Sequence, residues 1–457
     1  MYDLIFLGGG PAGYEGAIAS GKKGLKCAVI EMDKPGGTCL QRGCIPTKTL
    51  LNSVKILKSF KNAKKLGINI KDYEIDPANM VKQKNRVVSK LTKGIEFLFK
   101  SNGVDLIKGR GKIIAPGKIS VDDKEILETK NIIISTGSVP AQLPFLKFEN
   151  NFIISSDEAL ELNDIPEKLL IIGAGAIGVE MGVIYNYLGS KVTIVEIMDQ
   201  IIPGSDLEIS EMLKGELKKD KIRILTSTSA KDPVIDTNSD EISFSLKDRE
   251  KEWEESFSKV LLSVGRTPNT EGIFDKSIDI ELDDRGFIKT DKNLWTGVPG
   301  IFACGDVIGH PLLAHKASHQ AVALVDFIIE NKDIHELTIP AAVFTFPEFA
   351  SVGITEEEAK KTGKEYKVGK FPYSAGSRSN AIDEKSGIVK IISDGENRLL
   401  GAHILGAEAG ELIPVLTYGI SKNIKAEEFR DLVFIHPTLS ENVWEALGEI
   451  SGFSIHI

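Results

Sequence analysis

Residues 3–31 read DLIFLGGGPAGYEGAIASGKKGLKCAVIE, and residues 168–196 read KLLIIGAGAIGVEMGVIYNYLGSKVTIVE. A constant offset of 165 lays Gly8 on Gly173, Gly10 on Gly175, Gly13 on Gly178, Glu15 on Glu180, Gly24 on Gly189 and Glu31 on Glu196. Each copy reads as an apolar strand, a Gly-rich turn, a helix, a second strand and an acid. A lone G-x-G-x-x-G is weak evidence, because glycine-rich turns occur in ordinary α/β units. Here two copies share one spacing, each with an acid 23 residues beyond its first Gly. That is the dinucleotide fingerprint. The first Gly makes the tight turn, the second lets backbone approach a pyrophosphate, and the third lets helix and strand pack closely. The helix N-terminus offers unpaired N–H groups to the phosphates. Glu31 and Glu196 are expected to accept hydrogen bonds from ribose hydroxyls.

A second repeat closes each unit. Asn131 to Pro140 is NIIISTGSVP and Lys259 to Pro268 is KVLLSVGRTP. From acid to closing motif the first copy runs 105 residues and the second 68, so the first carries about 37 more. The excess holds Cys39 and Cys44 and two helices. Ile45, Leu50, Leu51, Val54, Leu57 and Phe60 recur at helical spacing. Asp76-Pro77 reads as an N-cap and Gly103 as a stop, with Met80, Val81, Val87, Val88, Leu91, Ile95 and Leu98 as the apolar stripe between them. Beyond Pro340 come short alternating strands and capped helices, with a capping box from Thr355 to Glu358 and Gly363 as its stop. The expected fold is α/β. Two Rossmann-like dinucleotide-binding domains take residues 1–145 and 146–270. A central segment, 271–337, completes the first, and a C-terminal α+β dimerisation domain spans 338–457.

The chain has 457 residues, which at ~100–200 per domain predicts two to four domains. Hydrophobic residues make up 42% and charged residues 26%, a globular balance, with a net charge of −9. No long basic run appears, which disfavours nucleic acid as the main partner. The best membrane candidate, Leu169 to Val179, is far short of the ~20 residues a span needs. The N-terminus lacks the basic and small-residue pattern of a signal peptide. Four cysteines are too few for a disulfide scaffold. The expected compartment is the reducing cytoplasm, where a disulfide is catalytic more often than structural.

Two dinucleotide sites in one chain suggest two cofactors passing electrons between them, and flavin with nicotinamide is the common pairing. Glu196 would accept a ribose 2′-hydroxyl and repel a 2′-phosphate, and Ile197, Met198 and Asp199 offer no cation to a phosphate. This favours NAD over NADP. The stretch from Gly36 to Lys48, GGTCLQRGCIPTK, sets two thiols five residues apart. They cannot share one face of a regular helix, so Cys39 is expected in the loop entering a helix and Cys44 in its first turn, where a thiol pKa falls. Zinc needs about four ligands and no second Cys pair supplies them, so the pair reads as a redox-active disulfide. Cys27 and Cys304 read as buried small hydrophobes. His315 and His319 stand at i, i+4 with no third ligand, and no metal is expected. His436, in HPTLSE, suits a group that accepts a thiol proton near neutral pH, and Glu441 would orient it. A capping box from Thr438 to Glu441 would account for Glu441 equally well.

These motifs resemble those of the flavoprotein disulfide reductases, and within them the dihydrolipoamide dehydrogenases. The resemblance spans nearly the whole chain: GGTCLQRGCIPTK, both Gly fingerprints, TGSVP, VGRTPN, CGDV, LLAHKA, PEFASVG and HPTLSE. It implies that Gly8, Gly10, Pro11, Ala12, Gly13 and Glu31 bind the ADP part of FAD. It adds Gly37, Thr38, Gly111, Thr136, Gly137, Ser138, Asp306, Leu312, Leu313, Ala314 and His315 to the FAD site. Lys48, paired with Glu180, would lie by the flavin ring. Gly173, Gly175, Ala176, Ile177, Gly178, Glu180, Glu196 and Gly265 would bind NAD, with Ala230 a weaker match. Cys44 would face the flavin and Cys39 would exchange with substrate, while His436 would be the base and Glu441 its orienter. The implied partners are a second copy, as a homodimer, and a separate lipoyl-bearing protein of a 2-oxoacid dehydrogenase or glycine cleavage system.

Sister groups fit less well. Mercuric reductases carry a C-terminal Cys pair, and no Cys follows Cys304 here. Glutathione reductases use NADPH, against which Glu196 argues. NADH oxidases of the superfamily lack the Cys pair, and small thioredoxin reductases place theirs in the NAD domain. Gln41-Arg42 departs from the Asn and small apolar residue common in dihydrolipoamide dehydrogenases. A non-enzymatic dinucleotide sensor would have no need of Cys39, Cys44, Lys48, His436 and Glu441 together.

Overall fold

The computed structural model describes residues 1–148, 151–161, 165–236 and 239–456. The first fingerprint folds as strand β1 (Tyr2–Leu7), helix α1 (Pro11–Lys22) and strand β2 (Cys27–Glu31). β1 lies in parallel between β2, Leu4 opposite Cys27, and the strand Glu125–Ile134, Leu4 opposite Asn131. β3 (Val104–Lys108) continues the sheet beyond β2. Ile301–Ala303, from far along the chain, adds to the other side, Ile301 opposite Ile132. The unbroken apolar runs suit a parallel sheet covered on both faces. Leu4 and Phe6 pack against α1 and the helix Ala314–Glu330. Ile5 and Leu7 pack against an antiparallel arm, Gly111–Ala115 and Lys118–Val121.

The second fingerprint repeats this plan. Lys168–Ile172, the helix Ala176–Leu188 and Lys191–Val195 form the unit, and Arg223–Leu225, Lys259–Leu262 and Ile153–Ile154 extend its parallel sheet. An antiparallel sheet of Ser229–Asp236, Glu241–Lys247 and Glu252–Phe257 covers one face. The two closing motifs then pair with each other. Ser138–Pro140 runs antiparallel to Arg266–Pro268, Val139 opposite Thr267, so the repeated sequences are also the joint between the copies.

The C-terminal part is a five-stranded antiparallel sheet, Ala341–Val343, Glu348–Gly353, Leu399–Gly406, Ile388–Asp394 and Tyr366–Pro372 in spatial order, packed on helices Ala409–Ser421 and Ser440–Ser451. Thr355 and Glu358 form the expected capping box.

The inserted helices are α3 (Cys44–Ala63) and α4 (Pro77–Ser101). Leu50, Leu51 and Val54 of α3 share one core with the second unit and with Val343, Phe349 and Leu405 of the C-terminal sheet. α3 is therefore the element all three parts grip. Asp76 caps α4 by accepting the Asn79 N–H at 2.9 Å. The expected stripe on α4 needs correcting, because Leu91 and Leu98 are exposed. Ile95 is buried as expected, and the rest of the buried face runs through Lys84, Thr92 and Phe99. Lys84 donates to the Leu160 carbonyl and to Glu161, so its stem serves as packing.

Candidate active site

The sequence from Gly37 to Ala63 forms two helices, not a loop and a helix. α2 (Gly37–Arg42) ends at Gly43, whose backbone is not helical, and α3 begins at Cys44. Cys39 thus sits within α2, correcting the expectation of a loop, and Cys44 opens α3 as expected. The break at Gly43 lets two thiols five residues apart meet. They are free thiols, and Cys39 donates a hydrogen bond to the Cys44 sulfur. That bond, with the nearby Lys48 ammonium, brings the Cys44 thiol down to about 7. The same bond and burial push Cys39 far up. Of the pair, Cys44 is the thiolate and Cys39 keeps its proton.

Lys48, one turn along α3, reaches both carboxylate oxygens of Glu180, at 2.9 and 2.8 Å. Its ammonium also stands 4.5 Å from the centre of the Phe344 ring. Glu180 is buried and also accepts the Phe344 N–H at 2.9 Å. A carboxylate so placed is stable only because its oxygens are paired. The ion pair joins α3 to the fingerprint helix of the second copy, beside the thiols. Phe344 was not legible as a site residue, since neither its type nor its neighbours marks it.

Both fingerprint turns fit a dinucleotide pyrophosphate. Gly10 and Gly175 are the N-caps of their helices, and neither helix has a side-chain cap or an acid in its first turn. The leading N–H groups are left for an anion. A Cβ on Gly13 would lie 1.8 Å from the Gly8 carbonyl oxygen, and one on Gly178 2.0 Å from that of Gly173, so the third Gly of each motif is fixed by packing. A Cβ on Gly175 would meet no protein atom within 4 Å. Glycine there keeps open the space through which a pyrophosphate approaches.

The acids are held from within. Glu31 accepts the Gly9 N–H at 2.7 Å and the Asp33 N–H at 2.8 Å, and Glu196 accepts those of Ala174 at 2.7 Å and Met198 at 2.9 Å. A carboxylate has about four lone-pair sites, which leaves room for ribose hydroxyls.

Around the first turn, the Gly36 N–H bonds the Gly9 carbonyl at 2.8 Å, and Gly37 lies against Gly10. The start of α2, with Thr38, therefore covers this turn. Thr136 donates to the Asn269 carbonyl at 2.8 Å, and Ser138 donates to Asp306 at 2.7 Å. Arg266 clamps that pair, through Nε to the Ser138 hydroxyl at 2.7 Å and through a terminal nitrogen to its carbonyl at 2.6 Å. Arg266 was also missed, although it stands inside the quoted VGRTP motif. Gly137 and Gly265 both have positive φ in the two closing turns. Gly111 packs against Leu7. Leu312 and Leu313 lead into the helix beginning at Ala314, and His315 Nε2 lies 2.7 Å from the Pro340 carbonyl. Ala230 is buried in the second unit's core, so only its backbone is free to meet a ligand.

His436 Nδ1 lies 2.9 Å from one Glu441 oxygen, and the other oxygen accepts the Thr438 N–H at 2.8 Å. Glu441 thus makes the contact each reading called for, on separate oxygens, although the helix Ser440–Ser451 is capped at Leu439 without a capping box. The Thr438 hydroxyl instead donates to the Ile435 carbonyl. His436 is 70% exposed. Among the described residues, nothing hydrogen-bonds it to Cys39 or Cys44, which lie at the other end of the chain.

The family model of the pyridine nucleotide-disulphide oxidoreductases matches residues 2–321, and the model of their dimerisation domain matches residues 339–447. The chain belongs to the pyridine nucleotide-disulphide oxidoreductase family. Within it, the chain is 41% identical to mitochondrial dihydrolipoyl dehydrogenase 1 of Arabidopsis thaliana, over 100% of this chain and 91% of that one. It is 37% identical to dihydrolipoyl dehydrogenase of Thermus scotoductus, over 100% and 99%. Among solved structures, the flavoprotein disulfide reductase RclA of Escherichia coli superimposes with a TM-score of 0.87 at 26% identity, covering 99% of each chain. As a pyridine nucleotide-disulphide oxidoreductase the protein is a flavoprotein, with FAD and NAD as cofactors, and it carries the family's dimerisation domain. Among the described residues, no helix is long and apolar enough to cross a membrane.

Proposed function

We propose that this chain is an NAD-dependent dihydrolipoyl dehydrogenase, oxidising the dihydrolipoyl group of a carrier protein and reducing NAD. The observation that carries the reading is the polarised Cys39–Cys44 pair beside a Lys48–Glu180 bridge that spans two dinucleotide folds. In the oxidised enzyme the two sulfurs form a disulfide. A substrate thiolate attacks Cys39, forms a mixed disulfide and releases Cys44 as a thiolate, which Lys48 stabilises. His436 of the partner subunit, held by Glu441 of the partner subunit, takes the proton of the second substrate thiol. That thiolate attacks the substrate sulfur of the mixed disulfide, closes lipoamide and releases Cys39. Two electrons are left on the dithiol, and bound FAD supplies their route to NAD.

The first copy, with Gly8, Gly10, Gly13, Glu31, Thr136, Ser138 and Asp306, serves FAD, and the second, with Gly173, Gly175, Gly178 and Glu196, serves NAD. Domain divisions near 145, 270 and 338 follow, the central segment returning to the first sheet. The protein works as a homodimer in the cytoplasm, serving a 2-oxoacid dehydrogenase or glycine cleavage system. Around His436 the exposed Leu432, Val433 and Ile435, and an apolar groove of about 530 Å³ lined by Pro414, Val415, Tyr418 and Phe429, support burial against a second copy. The test is a steady-state assay of dihydrolipoamide with NAD against glutathione disulfide with NADPH. Faster turnover of the second pair would overturn the reading.

A further inference from the structure

The chain is acidic overall, yet residues 44–103 hold thirteen Lys and Arg against four Asp and Glu. This is the insertion that carries Cys44. Along α3 and on into α4 many of these cations are used internally. Lys48, Lys55, Lys58, Lys65 and Lys84 pair with Glu180, Glu408, Glu384, Asp383 and Glu161. The exposed cations of α4 are different. Lys82, Arg86, Lys90, Lys93 and Lys100 are all exposed, and no ion pair engages them among the described residues. At 100° per residue these five fall within about 80° of one helix face. Lys82, Arg86 and Lys90 repeat at i, i+4, a spacing at which like charges weaken a helix. Among the described residues no ion pair offsets that repulsion. Glu96, on the flank of the stripe, is the single acid of α4. Phe97 is 68% exposed within the stripe. In sequence order the stripe is invisible, because polar and apolar residues separate every cation.

The stripe is tied to the thiols. Gln41, between Cys39 and Cys44, donates to the Thr92 hydroxyl at 2.8 Å and to the Pro35 carbonyl at 2.8 Å. Thr92 is on the buried face of α4, one residue from Lys93. That contact is on the side of α4 away from the cations, so a protein seated on the cationic face would lie about one helix diameter, roughly 10 Å, from α2.

We propose that this face of α4 is the docking surface for the lipoyl-bearing protein, and that it selects a carrier whose surface around the lipoyl-lysine is acidic. The inference rests on the dihydrolipoyl dehydrogenase reading above. Unpaired cations with one exposed aromatic suit a transient partner, where charge sets encounter rate and orientation more than final affinity.

The test uses the FAD-loaded protein and its K82E/R86E/K90E/K93E variant. Each acts on free dihydrolipoamide and on an isolated, dihydrolipoylated carrier domain of acidic composition. The unmutated protein should lose kcat/KM on the carrier domain as salt rises, and the variant should fall by about tenfold or more at low salt, through KM. Both should oxidise free dihydrolipoamide equally. A four-site Gln variant, with FAD content checked, should lose less in the same direction. Equal turnover of the carrier by variant and parent overturns the proposal, as does an equal loss on the free substrate. Binding to phosphatidylserine vesicles or duplex DNA that the variant loses, with carrier turnover unchanged, overturns it in favour of another anionic surface. Failure of the unmutated protein to oxidise free dihydrolipoamide overturns the activity reading as well.

Discussion

The two fingerprint turns of this chain have one shape and two coverings. In both, the third Gly sits against the carbonyl of the first, and an acid is tied back to the turn by two N–H groups. Over the first turn lie Gly36 and Gly37 of the redox insertion. Over the second the space at Gly175 is open. On the function proposed above, the covered turn would hold a group that stays and the open turn would admit one that comes and goes. The difference is made by about 37 extra residues, not by the motif.

The sharpest way to break this comparison is to ask whether the covered site is complete within one subunit. His436→Ala should cost on the order of 10²–10⁴-fold in dihydrolipoamide oxidation, the usual range for a positioned acid–base group. Mixing inactive Cys39→Ser with inactive His436→Ala under subunit exchange should restore activity, since one site of each mixed dimer has neither defect. Exchange shown by mass with no recovered activity would make His436 an intrachain base or no base.

The second test asks whether the open turn chooses its coenzyme. Glu196 near a 2′-phosphate costs ~4 kcal/mol per charge pair at 4 Å and an effective dielectric near 20. NAD should be preferred over NADP by at least ~100-fold in kcat/KM, roughly 2.7 kcal/mol. Glu196→Ala should narrow this, though it also frees the Ala174 and Met198 N–H groups. Comparable efficiency with both coenzymes in the parent enzyme would refute the assignment.

The third concerns the covering itself. At pH 7 a thiol with a pKa of about 7 is half ionised, whereas an ordinary thiol near 8.5 is ionised to only a few per cent. In the reduced protein stripped of FAD, iodoacetamide should therefore label Cys44 faster than Cys39, with a rate that rises with pH through about 7 and then levels. Cys39→Ser replaces the hydrogen-bond donor with a stronger one and should keep the low midpoint, while Lys48→Met should raise it. A Cys44 rate that keeps rising well above pH 7 would remove the polarity assigned to the pair.

How much of this was legible follows from the range of the forces involved. The parallel sheets were readable because each strand is an unbroken apolar run and each turn needs its glycines. The helix break was not readable, since Gly43 ends α2 through a backbone conformation that composition does not mark. The face of α4 was read correctly at Ile95 and wrongly at Leu91 and Leu98, which keep the helical period while the buried face turns toward Thr92 and Phe99. Phe344 and Arg266 enter the site by tertiary contact alone. His436 and Glu441 were readable as a pair, and they stand in hydrogen-bond contact.

The smallest expected effect separates packing from ligand space within one motif. Gly178→Ala puts a Cβ 2.0 Å from the Gly173 oxygen, which cannot be met without moving the helix from the strand. It should lower the thermal midpoint of the coenzyme-free protein as well as NAD binding. Gly175→Ala puts a methyl where no protein atom lies within 4 Å. Its backbone is extended, with φ of −70° and ψ of −177°, so alanine meets no strain there. The midpoint without NAD should stay within a degree or rise slightly, because alanine restricts the unfolded chain more than glycine does. The KM for NAD should nevertheless rise about tenfold, with kcat for the dithiol half-reaction unchanged. The corresponding change in the covered turn, Gly10→Ala, places its methyl 3.8 Å from the Gly37 Cα, an ordinary contact. It should weaken FAD retention and leave the KM for NAD alone. If Gly175→Ala instead lowers the midpoint and spares NAD, the glycine is there for folding. The openness of the second turn would then say nothing about exchange of its coenzyme.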